Sequence, residues 1–307
     1  MCMNKVLIMG GNGFLGKNIA SYFQTKEIPV AVYDVTAVEN SSLKSYQGDV
    51  FHDGKLPEIL SNYDTLIYLI STVSPKKSMD EPESAYTNDI PMLLRTLDLA
   101  KEASVKRVIF ASSGGTIYGE GEGRELKEDS DTHPINHYAI AKLAAEKILL
   151  MYNERYGMEN VILRIGNPYG MGQNPKSGVG ALTIFTNRIL NGEEILLYAD
   201  PQSRRDYLSA EKVAEAFCLA YGYRFDKEVT PVFNIGSGKG YTLLELIALI
   251  EETLNTKAKV RIIEARGYDV KCNVLNVEKA KKYLNYQPEE DEKEKMKEYI
   301  LQLKEKK

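Results

Sequence analysis

Short, almost wholly apolar runs alternate along the chain with longer segments in which apolar residues recur at helical spacing. Lys5 to Met9, Val30 to Asp34, Thr65 to Ile70, Arg107 to Ser112 and Val161 to Ile165 read as buried strands. Between them, Leu15 to Lys26, Asp89 to Glu102 and His137 to Tyr156 carry helix periodicity, the last closed by Gly157 as a C-cap. This rhythm predicts an α/β protein with a doubly wound parallel sheet. Helices on both faces explain why the strands are apolar throughout.

At Gly166 the texture changes. Gly166-Asn-Pro-Tyr-Gly-Met-Gly-Gln-Asn-Pro-Lys-Ser-Gly178 is rich in turn formers and precedes a short helical run, the composition of a segment that carries ligand contacts. A further strand, Val232 to Ile235, and helices Thr242 to Leu254 and Val277 to Leu284 follow. We read residues 1–166 as a cofactor-binding domain to which 206–235 returns, and 167–205 with 236–307 as a smaller, partly interleaved C-terminal substrate domain. Glu289 to Lys307 is dense in Glu and Lys but keeps Met296, Ile300 and Leu303 at helical spacing, which predicts a surface helix rather than a functional charge tail.

A length of 307 residues leaves room for both a cofactor and a substrate, and 43% hydrophobic with 27% charged residues is the balance of a folded globular chain. The net charge of -4 speaks against a general nucleic-acid binder, so an anionic ligand must find local cations. Cys2, Cys218 and Cys272 lack C-x-x-C spacing, which excludes a zinc site or disulfide framework and leaves them as reduced thiols. His52, His133 and His137 form no metal spacing either; they read as surface or capping residues, and no metal is expected. No charged leader precedes an apolar stretch and no window of about 18 apolar residues occurs, so a cytoplasmic protein with no membrane association is expected.

Gly10-Gly-Asn-Gly-Phe-Leu-Gly16 follows the first strand and opens a helix. It fits G-x-x-G-x-x-G through Gly10, Gly13 and Gly16, and G-x-G-x-x-G from Gly11. Glycines there permit a tight turn and let backbone approach a pyrophosphate, whose charge is favoured by the unpaired N–H groups of the helix N-terminus. Asp34 ends the second strand, where a carboxylate accepts both ribose hydroxyls of NAD and repels the 2′-phosphate of NADP. The combination predicts a Rossmann-type domain that binds NAD. Asp49, after Gly48, reads either as an acceptor for the adenine amino group or as a plain turn residue.

Tyr138 and Lys142 are four apart, so a helix puts them on one face. Tyr22/Lys26 and Tyr223/Lys227 repeat the spacing by chance; Tyr138 differs because it follows a strand end, Phe110-Ala-Ser-Ser-Gly-Gly-Thr-Ile-Tyr-Gly119, and starts an Ala-rich helix. Ligand sites of open α/β sheets lie beyond the carboxyl ends of strands. Oxidising an alcohol requires removing its proton as hydride leaves, and a tyrosine serves as that base near neutrality if its pKa falls by roughly three units. Lys142 and cationic NAD⁺ are expected to supply that shift.

Taken in order, Gly10 to Gly16, Asp34, Asp49-Val50, Asn88, Ser112-Ser-Gly-Gly-Thr-Ile-Tyr-Gly119, Tyr138-x-x-x-Lys142, Arg164-x-x-Asn167-Pro-Tyr-Gly170, Arg205-Asp-Tyr207, Asn234-x-Gly236-x-Gly238 and Arg266-x-x-Asp269 resemble the NAD-dependent epimerase/dehydratase family, the extended short-chain dehydrogenases, and among them the UDP-glucose 4-epimerases. The resemblance covers nearly the whole chain. It implies that Tyr138 is the catalytic acid/base and that Lys142 holds the nicotinamide ribose. It further implies that Gly10, Gly13, Phe14, Leu15, Gly16, Asp34, Asp49, Val50, Leu69, Ile70, Ser71, Asn88 and Ser112 line the cofactor, and that Asn167, Arg205 and Arg266 contact a nucleotide-sugar. Arginine suits a diphosphate through its planar donor fork. It implies, too, a homodimer pairing the Tyr138 helix with the Asp89 to Glu102 helix, and cell-surface polysaccharide synthesis as a setting.

The chain departs from the family at several points. Gly114 stands at the usual catalytic Ser or Thr, leaving Thr116, Ser113 or water to supply that hydroxyl. Tyr68 stands where many relatives have His, Gly166 where they often have Phe, and Asn88 is followed by Asp-Ile-Pro instead of the usual Gly-Thr pair. Family 4,6-dehydratases carry an Asp-Glu pair where this chain has Gly115-Thr116, which disfavours dehydration, and reductive relatives tend toward NADP, which Asp34 opposes. UDP-hexose 4-epimerisation is therefore the expected activity; the alternatives are another nucleotide-sugar oxidoreductase or dehydratase, or an NAD-responsive binding protein without turnover.

Overall fold

The computed structural model describes residues 5–37, 42–121, 124–198, 200–263, 270 and 272–307. Its strands are β1 (Val6–Met9), β2 (Val30–Asp34), β3 (Lys44–Gln47), β4 (Thr65–Tyr68), β5 (Arg107–Ser113), β6 (Val161–Ile165), β7 (Asn167–Tyr169), β8 (Glu194–Leu197), β9 (Arg204–Ser209), β10 (Val232–Ile235), β11 (Gly240–Thr242), β12 (Lys259–Ile262) and β13 (Cys272–Asn273). The helices are α1 (Phe14–Thr25), α2 (Leu56–Leu60), α3 (Pro75–Asp80), α4 (Pro82–Ser84), α5 (Ile90–Glu102), α6 (Gly114–Ile117), α7 (His137–Tyr156), α8 (Ala181–Leu190), α9 (Ala210–Tyr221), α10 (Leu243–Leu254), α11 (Glu278–Leu284) and α12 (Glu292–Glu305).

Seven parallel strands form one sheet in the order β10-β6-β5-β4-β1-β2-β3. The central strands are apolar at every position because alternate residues serve two different cores. Val6 and Ile8 of β1 pack with Ile19 and Phe23 of α1 and Val213 and Phe217 of α9, whereas Leu7 and Met9 pack with Leu93 and Leu97 of α5 and Leu149 of α7. The chain winds outward in both directions from β1 and β4, so the loops leaving those two strands diverge and open a crevice at their carboxyl ends.

α7 has well-defined ends: the Asn136 side chain accepts from the Ala139 N–H at 2.9 Å, and Gly157, at φ 71°, closes the C-terminus. A second assembly lies beside the main sheet. β9 pairs with β7, β11 and β13, β8 pairs with β12, and α8, α10 and α12 enclose a separate core around Leu182, Phe185, Leu246, Ile250, Met296 and Ile300. Met296 and Ile300 are fully buried there, as the spacing in the charged C-terminal segment predicts.

Three local features differ from the sequence expectation. The run Thr65 to Ile70 stops being strand at Tyr68, and Leu69 and Ile70 begin a loop anchored by the Leu69 N–H to the Met9 carbonyl at 3.0 Å. Asp89 does not start the helix over 90–102; it ends a π-helical turn, Ala85–Asp89, that runs into it. β3 is a largely exposed edge strand of polar residues, so no apolar run announces it.

Candidate active site

The loop between β1 and α1 turns at Gly10, whose φ of 80° is in the left-handed region. At Gly11 a side chain would begin 2.6 Å from Val32 Cβ, and at Gly16 it would begin 2.6 Å from the Gly10 carbonyl oxygen and from Gly11 Cα. The glycines thus let the loop lie flat on β2 and let α1 start immediately against it. Gly13 occupies the N-cap and offers no side chain to the first-turn N–H groups. Those donors remain available to an anion at the end of a 12-residue helix.

At the end of β2, Asp34 accepts from the Asn12 N–H at 3.0 Å and from the Thr36 N–H and hydroxyl at 3.0 and 2.9 Å. These bonds fix the carboxylate beside the loop and leave it lone pairs for ribose hydroxyls. A glycine loop packed too closely on β2 and α1 for side chains at Gly11 and Gly16, open helix N–H groups and a fixed acceptor together fit a dinucleotide. Asp49 makes turn contacts, its Oδ1 accepting from the Phe51 N–H at 2.8 Å and meeting His52 Nδ1 at 2.9 Å. Val50 is buried in the core, and its carbonyl accepts from Arg95 Nε at 2.7 Å, so its side chain does not face a ligand.

A cavity of about 240 Å³ opens over the sheet, lined by Gly10, Gly13, Phe14, Leu15 and Gly16 on one side and by Leu69, Ser71, Ala111, Ser113, Tyr138 and Lys142 on the other. A hollow of about 560 Å³ lies elsewhere, around Ser237–Lys239 and Gln287–Glu290. Its lysines already have partners, Lys212 on Glu215, Lys281 on Glu278 and Lys239 on the Glu290 carbonyl. Size favours the second space, but the convergence of groups able to move a proton favours the first.

In that first cavity Lys142, nearly fully buried, donates to the Ala111 carbonyl at 3.0 Å and stands 5.7 Å from the Tyr138 ring centroid. Burial pulls its ammonium down to about 8, opposed by the negative charges of Asp89 and Glu146. The lowering expected for Tyr138 is not supplied by the chain. Loss of hydration pushes the phenol up to about 12, the hydrogen bond with Ser113 lowers it, and Asp89 raises it. Burial dominates, Lys142 is committed to the Ala111 carbonyl, and the charge that acts on the phenol, that of Asp89, is negative.

The segment after β5 bears on the missing hydroxyl. Gly114 faces inward, where a Cβ would lie 2.7 Å from Leu275 Cδ1 and 3.0 Å from the Arg164 carbonyl. Ser113 lines the cavity beside Tyr138, and Thr116 donates to its hydroxyl at 2.9 Å, so the two form a short relay. Ser112 has its hydroxyl turned away, donating to Glu146 in a short hydrogen bond. Its contribution to the cavity is therefore backbone.

Three residues escaped the sequence reading. Glu146, one turn beyond Lys142 on α7, is buried and receives Arg164 at 2.8 to 3.2 Å; Arg164 also donates to the Tyr118 hydroxyl at 2.8 Å, and Tyr118 to Asn234 at 2.7 Å. This network locks α7 to β5, β6 and β10. Its signal was the periodicity 138, 142, 146. Asp206, fully buried in β9, accepts from the Ser237 N–H and hydroxyl at 2.7 Å and from the Gly238 and Leu275 N–H groups at 3.1 Å. Burial still pushes it up to about 6. Gly236 is required there, since a Cβ would sit 2.5 Å from the Asp206 carboxylate. The third, Asp89, binds the loop after β4.

On the substrate side, Asn167 donates to the Asp206 carbonyl at 3.1 Å and lies 3.5 Å from where a side chain at Gly115 would begin. Arg205 donates to the Arg204 carbonyl at 3.1 Å and occupies β9 two residues before Tyr207, which is paired with Asn167. Neither lines the cavity under Tyr138. Arg266 lies outside the described residues. Asn88 sits half-buried in the π-helical turn, and Ile70 packs partly into the core below. Among the histidines, His137 Nδ1 meets the Tyr86 hydroxyl at 2.9 Å, and Asn136 rather than His137 caps α7. No group of metal-binding residues occurs among the described residues.

The pattern of the NAD dependent epimerase/dehydratase family matches residues 6–236. Escherichia coli dTDP-4-dehydro-6-deoxyglucose reductase is 31% identical, over 93% of this chain and 93% of its own. The UDP-glucose 4-epimerase of Thermotoga maritima, solved with UDP-glucose, superposes with a TM-score of 0.90 at 30% identity, covering 98% of this chain and 99% of its own. That of Thermus thermophilus, solved with NAD, gives 0.90 at 27% identity, with 98% and 99% covered.

Proposed function

Because this chain belongs to the NAD dependent epimerase/dehydratase family, we propose that it epimerises a nucleotide-sugar, a UDP-hexose at C4, through a transient 4-keto sugar. The observation that carries the reading is the convergence of Tyr138, Lys142 and Ser113 on the cavity bounded by the glycine loop. Bound NAD supplies the acceptor and donor of the C4 hydride and a positive charge near the phenol. Gly10 to Gly16 and Asp34 hold the dinucleotide, and Lys142 holds its nicotinamide ribose. Tyr138 takes the 4-hydroxyl proton and returns it after the keto-sugar has rotated, with Ser113, backed by Thr116, steadying the hydroxyl. Asn167, Arg205 and Arg266 bind the nucleotide and its diphosphate.

Structures of relatives with UDP-glucose and with NAD support this assignment. We read the Rossmann part as 1–166 with 206–235, and 167–205 with 236–307 as the sugar-nucleotide domain. A homodimer fits the exposed apolar Ile140, Met151 and Tyr156 on α7. No described helix is long and apolar enough to cross a membrane, and a cytoplasmic enzyme of cell-surface polysaccharide synthesis is the setting we infer. The 31% identity to a 4-keto-sugar reductase favours a second reading, reduction of a dTDP-4-keto sugar; Asp34 opposes it by disfavouring NADP.

The test is interconversion of UDP-glucose and UDP-galactose by purified protein, followed by a panel of other nucleotide-sugars. Tyr138→Phe is expected to lower kcat by about 10²–10⁴-fold with NAD binding retained. A full rate in that variant removes Tyr138 from the mechanism, and net consumption of NADPH with a dTDP-4-keto sugar selects the second reading.

A further inference from the structure

Asp89 opens the Asp-Ile-Pro that follows Asn88, and the fold gives its carboxylate specific work. It closes the π-helical turn Ala85–Asp89, a rare geometry that recurs at functional sites. Oδ1 accepts from the Thr72 N–H at 2.8 Å and from the Thr72 hydroxyl at 2.7 Å, while Oδ2 accepts from the Ser71 hydroxyl at 2.8 Å. All three donors belong to the loop after β4, whose Leu69 and Ser71 line the active-site cavity. The carboxylate is only partly buried, and among the described residues no lysine or arginine forms a salt bridge with it. Lys77 of α3 holds the same loop differently, donating to the Thr72 carbonyl at 3.3 Å.

We propose that Asp89 is a positioning residue of the active site, pinning the loop over 69–72 and holding its negative charge on the turn whose neighbours Ala85 and Ile90 pack with Ala141 and Tyr138 of α7. The proposal rests on the reading of Tyr138 and Lys142 as the acid/base machinery.

Its charge is felt by three groups on the elements packed around it: Tyr138 and Lys142 of α7 and Tyr68 of β4, each raised by it. Glu146 acts on Lys142 in the same direction from the other side. The consequence is specific. Burial holds Lys142 down to about 8 even with Asp89 and Glu146 opposing it, so removing the Asp89 charge lowers it further. Asp89 favours the cationic form of the lysine, and it adds to the effect of burial on the phenol.

Asp89→Asn separates the two roles, because the amide keeps an acceptor for Thr72 and a donor for Ser71 but carries no charge. In nucleotide-free protein, the pH profile of Lys142 modification by an amine-directed reagent, read by peptide mass spectrometry, is expected to move to lower pH by about one unit. The pH profile of turnover moves the same way. Asp89→Ala adds loss of pinning, seen as at least severalfold faster hydrogen exchange in the peptide over 69–74. An Asn variant with both profiles unmoved, or an Ala variant with unchanged exchange, overturns the proposal. If the unmodified protein turns over no nucleotide-sugar, the functional reading falls while the lysine titration and the exchange still decide this one.

Discussion

Gly16 marks the place where a single hydrogen atom decides whether the loop and helix can meet. A methyl group there would lie 2.6 Å from backbone that cannot swing aside, so Gly16→Ala is expected to cost about 1–3 kcal/mol of stability through overpacking. It should also abolish NAD binding, because the loop can relieve the clash only by lifting into the cofactor's space. Urea titration and calorimetry with NAD check the two effects separately. Gly114 behaves differently: its missing side chain faces Leu275 rather than the cavity, so Gly114→Ser is expected to meet Leu275, and the hydroxyl we propose for catalysis is that of Ser113, which lines the cavity.

At the scale of elements, α7 holds Tyr138 and Lys142 in place because Glu146 and Arg164 pair with almost no exposure. Glu146→Gln leaves the guanidinium buried with its charge uncompensated, and denaturant unfolding should show a loss of about 3–5 kcal/mol. A second carboxyl, Glu292 at the start of α12, receives the Tyr169 hydroxyl of β7 at 2.5 Å, and its other oxygen is buried with no partner among the described residues. Burial pushes it up to about 7 from a usual 4.5. Between those values the folded chain binds more protons than the unfolded one, so stability falls as pH rises through that window and changes no further above it. Glu292→Gln removes this contribution. Relative to the parent, the variant should gain about 2–3 kcal/mol between pH 5 and pH 8 in urea unfolding; an equal pH dependence in both proteins would refute the assignment.

For the whole molecule, the same helix that carries Tyr138 on its inner side presents Ile140, Met151 and Tyr156 outward. If these faces join two copies, Ile140→Glu with Met151→Glu should convert a dimer to a monomer in sedimentation equilibrium, and a parent that is already monomeric would refute the dimer. Ligand binding provides a separate check on the assembled fold: NAD at 100 times its Kd should raise unfolding free energy by about 2.7 kcal/mol.

The alternation of apolar runs and amphipathic segments was enough to specify the parallel sheet, because a strand buried on both faces leaves an unbroken hydrophobic signature. The glycine loop, Asp34 and the Tyr138/Lys142 spacing were legible for a similar reason: each depends on chain neighbours or on one helix face. What required the tertiary structure was everything set by contacts between distant segments. Ser112 and Ser113 are adjacent and chemically alike, yet one hydroxyl meets Glu146 and the other the cavity. Asp206 becomes a hub only when Ser237, Gly238 and Leu275 fold onto it, and the raised phenol of Tyr138 reflects lost hydration together with Asp89. Sequence sets which groups are present and their local periodicity; hydration and the direction of a side chain belong to the packed molecule, since both depend on what lies opposite.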